Sequence, residues 1–173
     1  MFDVLLDGAP PPRDAVAMSS WSEFESAAPA LAARVRERLD AHTHKTLATL
    51  RRDGAPRISG TEATFADGEL WIGAMWQSLK ARDLQRDGRF ALHSGSDEPD
   101  VWSGDAKVAG VAVEVTDPEL VSRHNGEAAA NGPSHLFRLD LREVSAVELR
   151  DDRRALVIRS WTAERGERVV ERA

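Results

Sequence analysis

Residues 46–82 have the sequence TLATLRRDGAPRISGTEATFADGELWIGAMWQSLKAR, in which short apolar segments alternate with turn residues. The turn Arg52-Asp53-Gly54 separates TLATL from RISGTEATF, and Ala66-Asp67-Gly68 separates RISGTEATF from ELWIGAM. An Asp-Gly pair between two apolar segments is typical of a hairpin turn, so three antiparallel strands in a meander are predicted. A short helix is predicted from Ser78 to Gln85.

Two helices are predicted before this region, and five strands and a further helix are predicted after it. Before it, Ser20-Trp21-Ser22-Glu23 has the capping-box pattern, and Pro29 fits the first turn of a second helix. After it, strands are predicted at RFALHS, AKVAGVAVEV, HLFRLDL, VSAVEL and ALVIRSW, and Asp117-Pro118-Glu119 predicts a helix start. So many strands with short loops must pair antiparallel and close into a barrel or a sandwich, which makes the fold class α+β and mainly β.

Length and composition restrict the class of protein. The chain has 173 residues, a mass of 19.0 kDa and a net charge of −6, which predicts one domain over residues 18–173 after a flexible tail over residues 1–17. The excess of acidic residues argues against a nucleic-acid partner. The chain has no cysteine, so disulfides and thiolate chemistry are excluded. No apolar run is long enough for a membrane span or a signal peptide, which predicts a cytoplasmic protein without a membrane partner.

The sharpest local feature is the junction between strand and helix at Trp76-Gln77-Ser78-Leu79-Lys80. Free N–H groups at a helix start, together with Ser78 and Lys80, outline an anion site. The alternative is a capped helix with solvated basic residues. Arg82 is two residues from Lys80, so the two side chains diverge on a helix and only one is expected to touch a given phosphate.

Strand alternation places Arg57, Ser59 and Thr61 on one face of the second strand. That polar face either meets water or lines a ligand groove. Four tryptophans lie in or beside predicted strands, and their rings either stack on a flat heterocycle or belong to a core or an interface. They are Trp71, Trp76, Trp102 and Trp161.

The sequence indicates neither a hydrolase nor a metal site. It has no Gly-x-Ser-x-Gly motif. His42 and His44 form a His-x-His pair, which is better explained as a polar cluster at a helix end than as a metal site. No catalytic side chain is assigned.

These features together resemble a family, the FMN-binding split β-barrel proteins related to pyridoxamine 5′-phosphate oxidase. The resemblance covers Trp21 to Arg172. It rests on the strand order, on TLATLRRDGAPRIS and ELWIGAM, on Ser78-x-Lys80, and on the terminal Trp161 and Arg168-x-x-x-Arg172. It implies a six-stranded antiparallel split β-barrel and a homodimer that binds its cofactor at the subunit interface.

The resemblance also implies the site residues. Ser78 and Lys80 would hold the cofactor phosphate, and the backbone at Gly73 and Ala74 would approach the ring system. Arg168 would bind substrate. The remaining implied cofactor contacts are Arg57, Ser59, Thr61, Trp161 and Arg172.

Three departures from the oxidase pattern distinguish this chain. Glu62 replaces a lysine, Leu79 replaces an arginine in the phosphate motif, and Val170 replaces the histidine that recognises the vitamin substrate. The protein is therefore not expected to be a vitamin B6 oxidase. The first helices and the ending ALVIRSW…GERVVER look more like the branch in which some members use the deazaflavin coenzyme F-420, whose anionic tail would call for cations such as Arg57, Arg82 and Arg86.

The leading hypothesis is an FMN- or F-420-dependent oxidoreductase that transfers a hydride to or from a small organic substrate. In such enzymes the cofactor supplies the redox chemistry, which accounts for the missing acid–base motif. One alternative is a non-catalytic flavin-binding or stress-associated protein. Another is a haem-binding barrel in which His93 or His135 would ligate the iron.

Overall fold

The computed structural model describes residues 17–126, 130–150 and 152–173, which form four helices and nine strands. The helices are α1 (Trp21–Ala27), α2 (Pro29–Asp40), α3 (Leu79–Arg86) and α4 (Pro118–Asn125). The strands are β1 (Lys45–Leu50), β2 (Pro56–Thr61), β3 (Thr64–Ala66), β4 (Glu69–Met75), β5 (Arg89–His93), β6 (Asp105–Val115), β7 (Ser134–Leu149), β8 (Leu156–Thr162) and β9 (Gly166–Arg172). Of the expected tail over residues 1–17, all but Ala17 lies outside the described residues.

One antiparallel sheet curls into an incomplete barrel. Its strand order is β2-β1-β5-β6-β7-β4-β3, and the hairpin β8–β9 continues from β7. The two ends of this path, β2 and β3, are joined only by Glu62 and Ala63, because β2 ends at Thr61 and β3 begins at Thr64. The sheet must therefore bend until its ends nearly meet. No ladder joins β2 to β3 among the described strands, so the barrel stays split.

The helices at the start of the chain close one side of the barrel and complete its core. Ser20 caps α1 through a capping box with Glu23, and Pro29 begins α2, as the sequence predicts. Their apolar faces are fully buried against the sheet, and the ring of Phe24 lies 4.9 Å from that of Trp161. The largest buried side chains of the two helices are Trp21, Phe24, Leu31 and Leu39.

The predicted strands are present, but their limits and pairing differ from the expectation. The three-stranded meander was wrong, because RISGTEATF breaks after Thr61 and its two parts lie at opposite ends of the sheet. HLFRLDL and VSAVEL are one strand of 16 residues, β7. The described chain has nine strands, whereas the resemblance implies a six-stranded barrel.

The fourth helix begins as its sequence predicts. The carboxylate of Asp117 accepts hydrogen bonds from the backbone N–H groups of Glu119 and Leu120, and Pro118 occupies the first turn. Across the described ranges, no helix has the length and apolar character needed to cross a membrane.

Candidate functional site

The candidate site begins at the gap in the barrel. β3 pairs with β4 only as far as Trp71, so the edge of β4 over residues 72–75 that faces away from β7 has no partner strand in the described chain. β2 approaches β4 across this gap, and the Nζ atom of Lys80 donates a 2.7 Å hydrogen bond to the carbonyl oxygen of Gly60. We call the space between β2 and residues 72–75 the groove.

A tight turn over Trp76–Ser78 joins β4 to α3 at the end of the groove. Gln77 has a φ of +59°, and the N–H of Ser78 donates to the carbonyl of Met75 at 3.1 Å. Ser78 is the N-cap residue of α3, but its hydroxyl makes no capping hydrogen bond. Its Oγ atom is buried and has no partner in the part of the chain that the structure describes. A buried hydroxyl beside the free N–H groups of a helix start is an arrangement that accepts an anion.

Lys80 brings a positive charge to the same helix end. Burial lowers the pKa of its amine from 10.5, and the carboxylate of Glu62 opposes that shift. Glu62 stands where the oxidase pattern has a lysine. Since burial disfavours the charged amine, an added anion would stabilise it.

Asp83, on α3, forms a buried cluster with two arginines. Its Oδ2 atom accepts hydrogen bonds from Arg57 Nε at 2.6 Å and from Thr49 Oγ1 at 3.0 Å, and its Oδ1 atom accepts one from Arg86 at 3.0 Å. Burial alone raises the pKa of Asp83, but these hydrogen bonds outweigh it and lower the pKa below 3.8. Through Asp83, Thr49 on β1 and Arg57 on β2 therefore hold α3 against these two strands.

Arg57, Ser59 and Thr61 share the less exposed face of β2, as alternation predicts, while Ile58 and Gly60 are exposed. Thr61 is buried, and its hydroxyl donates to the carbonyl of Glu62 at 3.3 Å. The polar face of β2 is therefore turned inward, half-buried at Arg57 and Ser59 and fully buried at Thr61.

The structure gives Gly73 a packing role. A Cβ atom added to Gly73 would lie 2.7 Å from Oδ1 of Asn125, which ends α4. The side chain of Asn125 donates to Ser134 Oγ at 2.8 Å and to the carbonyl of His135 at 3.1 Å. Ala74, the other residue expected near the ring system, is 8% exposed.

The predicted residues at the end of the chain lie elsewhere in the molecule. The ring of Trp161 belongs to the core and is 4% exposed. Arg168 and Arg172 are exposed on β9, whose pairing partner in the described chain is β8. Within one chain, the structure does not bring these three residues to the groove.

His135 is a residue of this region that sequence reasoning named only as a candidate haem ligand. Its side chain is 2% exposed. Its Nδ1 atom lies 2.6 Å from Oε1 of Glu114, and its Nε2 atom accepts a hydrogen bond from the N–H of Gln77 at 3.1 Å. Both ring nitrogens are thus engaged, so neither is free to ligate iron. No short-range sequence pattern predicts this contact, because Gln77 and His135 are 58 residues apart.

Other histidines are also explained by local contacts. His42 Nε2 lies 2.9 Å from Asp97, and His93 Nδ1 lies 2.5 Å from the carbonyl of Ser94. Within residues 17–126, 130–150 and 152–173, no three histidine, aspartate or glutamate side chains lie together in a way that could hold a metal ion.

A cavity of about 510 Å³ lies next to the turn, between the end of β6, α4 and the start of β7. Its wall includes Trp76, Glu114, Val121 and His135. Trp76, which is 54% exposed, therefore belongs both to the turn and to the wall of this cavity.

The curled sheet with one unpaired gap defines the class, a split β-barrel with α+β architecture. A family model described as pyridoxamine 5′-phosphate oxidase matches residues 31–148, and the chain belongs to this family. Proteins of this family bind flavins. A comparison with curated proteins finds no match.

Solved structures share the fold at low sequence identity. A protein related to general stress protein 26, from Clostridium acetobutylicum, has a TM-score of 0.58 and 10% identity over 76% of this chain and 94% of its own. PhzG from Burkholderia lata, solved with tetrahydrophenazine-1-carboxylic acid, has a TM-score of 0.53 and 17% identity over 87% and 88% of the two chains. An F420 reductase has a TM-score of 0.50 and 20% identity over 63% and 94%.

Proposed function

We propose that this protein is an FMN-binding oxidoreductase that transfers a hydride to or from a small organic substrate. The observation that supports this most directly is the buried hydroxyl of Ser78, which has no partner within the described residues and lies at the start of α3. With Lys80 and the free N–H groups of the first helical turn, it would hold the phosphate of the cofactor. When bound, the flavin ring supplies the redox chemistry, and the chain supplies binding and orientation.

The ion pairs of the site favour FMN over coenzyme F-420. F-420 resembles FMN at the phosphate but continues into an anionic tail, for which Arg57, Arg82 and Arg86 are the candidate cations. Two of them, Arg57 and Arg86, already bind Asp83. Arg82 donates through Nε to the side chain of Gln77, so it is the candidate whose charge no ion pair in the described chain neutralises. One such cation is a weak anchor for an anionic tail.

We further propose that the functional unit is a homodimer with the groove at its interface. Ile58, Met75, Trp76 and Leu79 are large apolar side chains that are 54 to 78% exposed. Exposed apolar side chains of this size on the elements that border a groove are typical of an interface. A second copy would also account for Arg168 and Arg172, which their own chain does not bring to the groove. Because Val170 replaces the substrate-binding histidine of the oxidase, the substrate is not a B6 vitamer.

The test is a fluorescence titration of the purified apo-protein with FMN and with F-420 at equal ionic strength. FMN is expected to bind at micromolar concentration or tighter, and F-420 more weakly. Lys80→Ala should weaken FMN binding by about 1.5 to 3 kcal/mol, the effect of losing a charge-assisted contact. The matched control is Lys107→Ala, since Lys107 lies on β6 and pairs with Asp105.

Each result decides one part of the proposal. If F-420 binds more tightly than FMN, the cofactor is F-420. If Lys80→Ala binds FMN with the affinity of the wild type, Lys80 does not belong to the site. Absence of binding by a folded protein would overturn the oxidoreductase hypothesis. FMN binding without turnover in a screen of electron acceptors would favour the non-catalytic flavin-binding alternative.

A further inference from the structure

The turn over Trp76–Ser78 has a backbone shape that needs outside support. Gln77 has a φ of +59°, in the left-handed region that residues other than glycine adopt only occasionally. A residue stays in that region when its surroundings fix it. Contacts from other parts of the chain must therefore hold Gln77 in this conformation.

His135 supports the turn at two points. Its Nε2 atom accepts a hydrogen bond from the N–H of Gln77 at 3.1 Å. Its imidazole stacks on the indole of Trp76, with ring centroids 4.7 Å apart and an angle of 8° between the planes. One buried side chain thus fixes the peptide of Gln77 and the ring of the residue before it.

The two hydrogen-bond partners of His135 determine which ring nitrogen bears the proton. Because Nε2 accepts a hydrogen bond, the neutral ring must have its proton on Nδ1. That nitrogen lies 2.6 Å from Oε1 of Glu114, which therefore accepts the N–H. The carboxylate also accepts hydrogen bonds from Nε2 of Gln85 at 2.9 and 3.1 Å. Gln85 belongs to α3, the helix that follows the turn. A chain of hydrogen bonds thus runs from Gln77 in the turn through His135 on β7 and Glu114 on β6 to α3.

We propose that His135, oriented by Glu114, is a positioning residue that fixes the turn over Trp76–Ser78 in the shape that binds the cofactor phosphate. This inference rests on the proposed function, since it assumes that the turn meets a phosphate. Both ring nitrogens of His135 are engaged by Glu114 and Gln77, so His135 acts on the phosphate only through the turn. It engages the N–H of Gln77 on the side of β7 and leaves the hydroxyl of Ser78 and the first N–H groups of α3 for the ligand.

The first test compares FMN with riboflavin, which lacks the phosphate. His135→Phe retains an aromatic ring beside Trp76 but removes both hydrogen bonds. It should weaken FMN binding about tenfold or more and change riboflavin binding by less than about twofold. His135→Gln, which can present an oxygen to the N–H of Gln77, should restore most of the FMN affinity.

The matched control is His124→Phe. His124 is also a buried histidine whose ring stacks on a tryptophan, Trp71, with centroids 4.3 Å apart. Trp71 lies four residues before the end of β4, so this change replaces an equivalent imidazole by a phenyl ring without touching the turn. It should leave the ratio of FMN affinity to riboflavin affinity unchanged. An equal loss for both ligands in His135→Phe, or the same selective loss in His124→Phe, would overturn the proposal.

A second measurement does not depend on cofactor binding. Amide hydrogen exchange followed by NMR in the apo-protein should show a protected Gln77 N–H that exchanges at least about tenfold faster in His135→Phe. If the wild-type chain binds neither FMN nor riboflavin, the proposed function fails, and unchanged exchange at Gln77 would then overturn the positioning role as well. Should His135→Phe not fold, Glu114→Ala removes the acceptor of Nδ1 and leaves the ring in place. It should give the same faster exchange at Gln77, and normal exchange there would reject the proposal.

Discussion

Lys80 connects protonation to ligand binding at the scale of a single residue. A phosphate gains from Lys80 only while the amine is charged, and burial has lowered its pKa from 10.5. As the pH rises, this lysine therefore loses its charge earlier than an exposed lysine does. FMN affinity should therefore fall as the pH rises toward 10.5, ahead of the titration of an exposed lysine, whereas riboflavin affinity should not follow this fall. Fluorescence titrations across this range measure both.

A conservative substitution provides the control for this pH dependence. Arginine keeps its charge throughout the range, so Lys80→Arg should bind FMN with an affinity that hardly changes with pH. If FMN affinity of Lys80→Arg falls as steeply as that of the wild type, another group causes the effect.

Asp83 links charge to stability. Its pKa is below 3.8 in the folded chain, so the folded state binds this proton less readily than the unfolded state does. The stabilisation is fully present above about pH 4 and is lost as the pH falls through the folded pKa. Asp83→Asn should lower the free energy of unfolding by about 2 to 4 kcal/mol at neutral pH, because it leaves two arginines without their partner. Below about pH 4 the variant and the wild type should converge.

Urea unfolding at several pH values measures this convergence. Asp152→Asn is the control, because Asp152 forms an exposed pair with Arg150 and such pairs stabilise little. A constant difference between Asp83→Asn and the wild type from neutral pH to pH 2 would contradict the assigned pKa direction.

The same residues show what a sequence can predict at this scale. Alternation in β2 predicted that Arg57, Ser59 and Thr61 share a face, and their burial confirms it. It left open whether that face meets water. The answer depends on Asp83, 26 residues along the chain from Arg57, and a pairing at that distance leaves no periodic signal.

At the scale of elements, local patterns predicted the existence of strands and helix starts but not which strands pair. The segment RISGTEATF lies between the predicted turns Arg52-Asp53-Gly54 and Ala66-Asp67-Gly68, so one strand was expected there. The break at Glu62 and Ala63 follows from topology instead, because the chain must pass there from one end of the sheet to the other. Conversely, the capping box of α1 and the Asp117 cap of α4 involve neighbours within three residues, and both predictions are confirmed.

Strand β6 contains an irregularity that gives a prediction about stability. Its pairing with β7 shifts register between Ala109 and Gly110. A Cβ atom added to Gly110 would lie 1.9 Å from the carbonyl oxygen of Asp140, a backbone atom that cannot rotate away. Gly110→Ala should therefore lower the free energy of unfolding by about 3 kcal/mol. The control, Gly60→Ala, has nothing within 4 Å of the added atom and should unfold like the wild type in urea.

On the scale of the whole molecule, the groove exists because the barrel is incomplete. The sheet curls until β2 approaches β4, and α3 spans the gap through Lys80 and the carbonyl of Gly60. A closed barrel would pair the edge of residues 72–75 and leave no room for a ligand. The gap also exposes apolar side chains that a single chain cannot cover.

Those side chains give the prediction for the assembly. Ile58 is 74% exposed on the outward face of β2. If the groove lies at a dimer interface, Ile58→Glu should place a charge in that interface, convert the dimer to a monomer in sedimentation equilibrium, and weaken FMN binding in parallel. The control is Val101→Glu, because Val101 is 69% exposed in the loop between β5 and β6, and this variant should remain a dimer. A dimeric Ile58→Glu with normal FMN affinity would show that β2 does not face the second subunit.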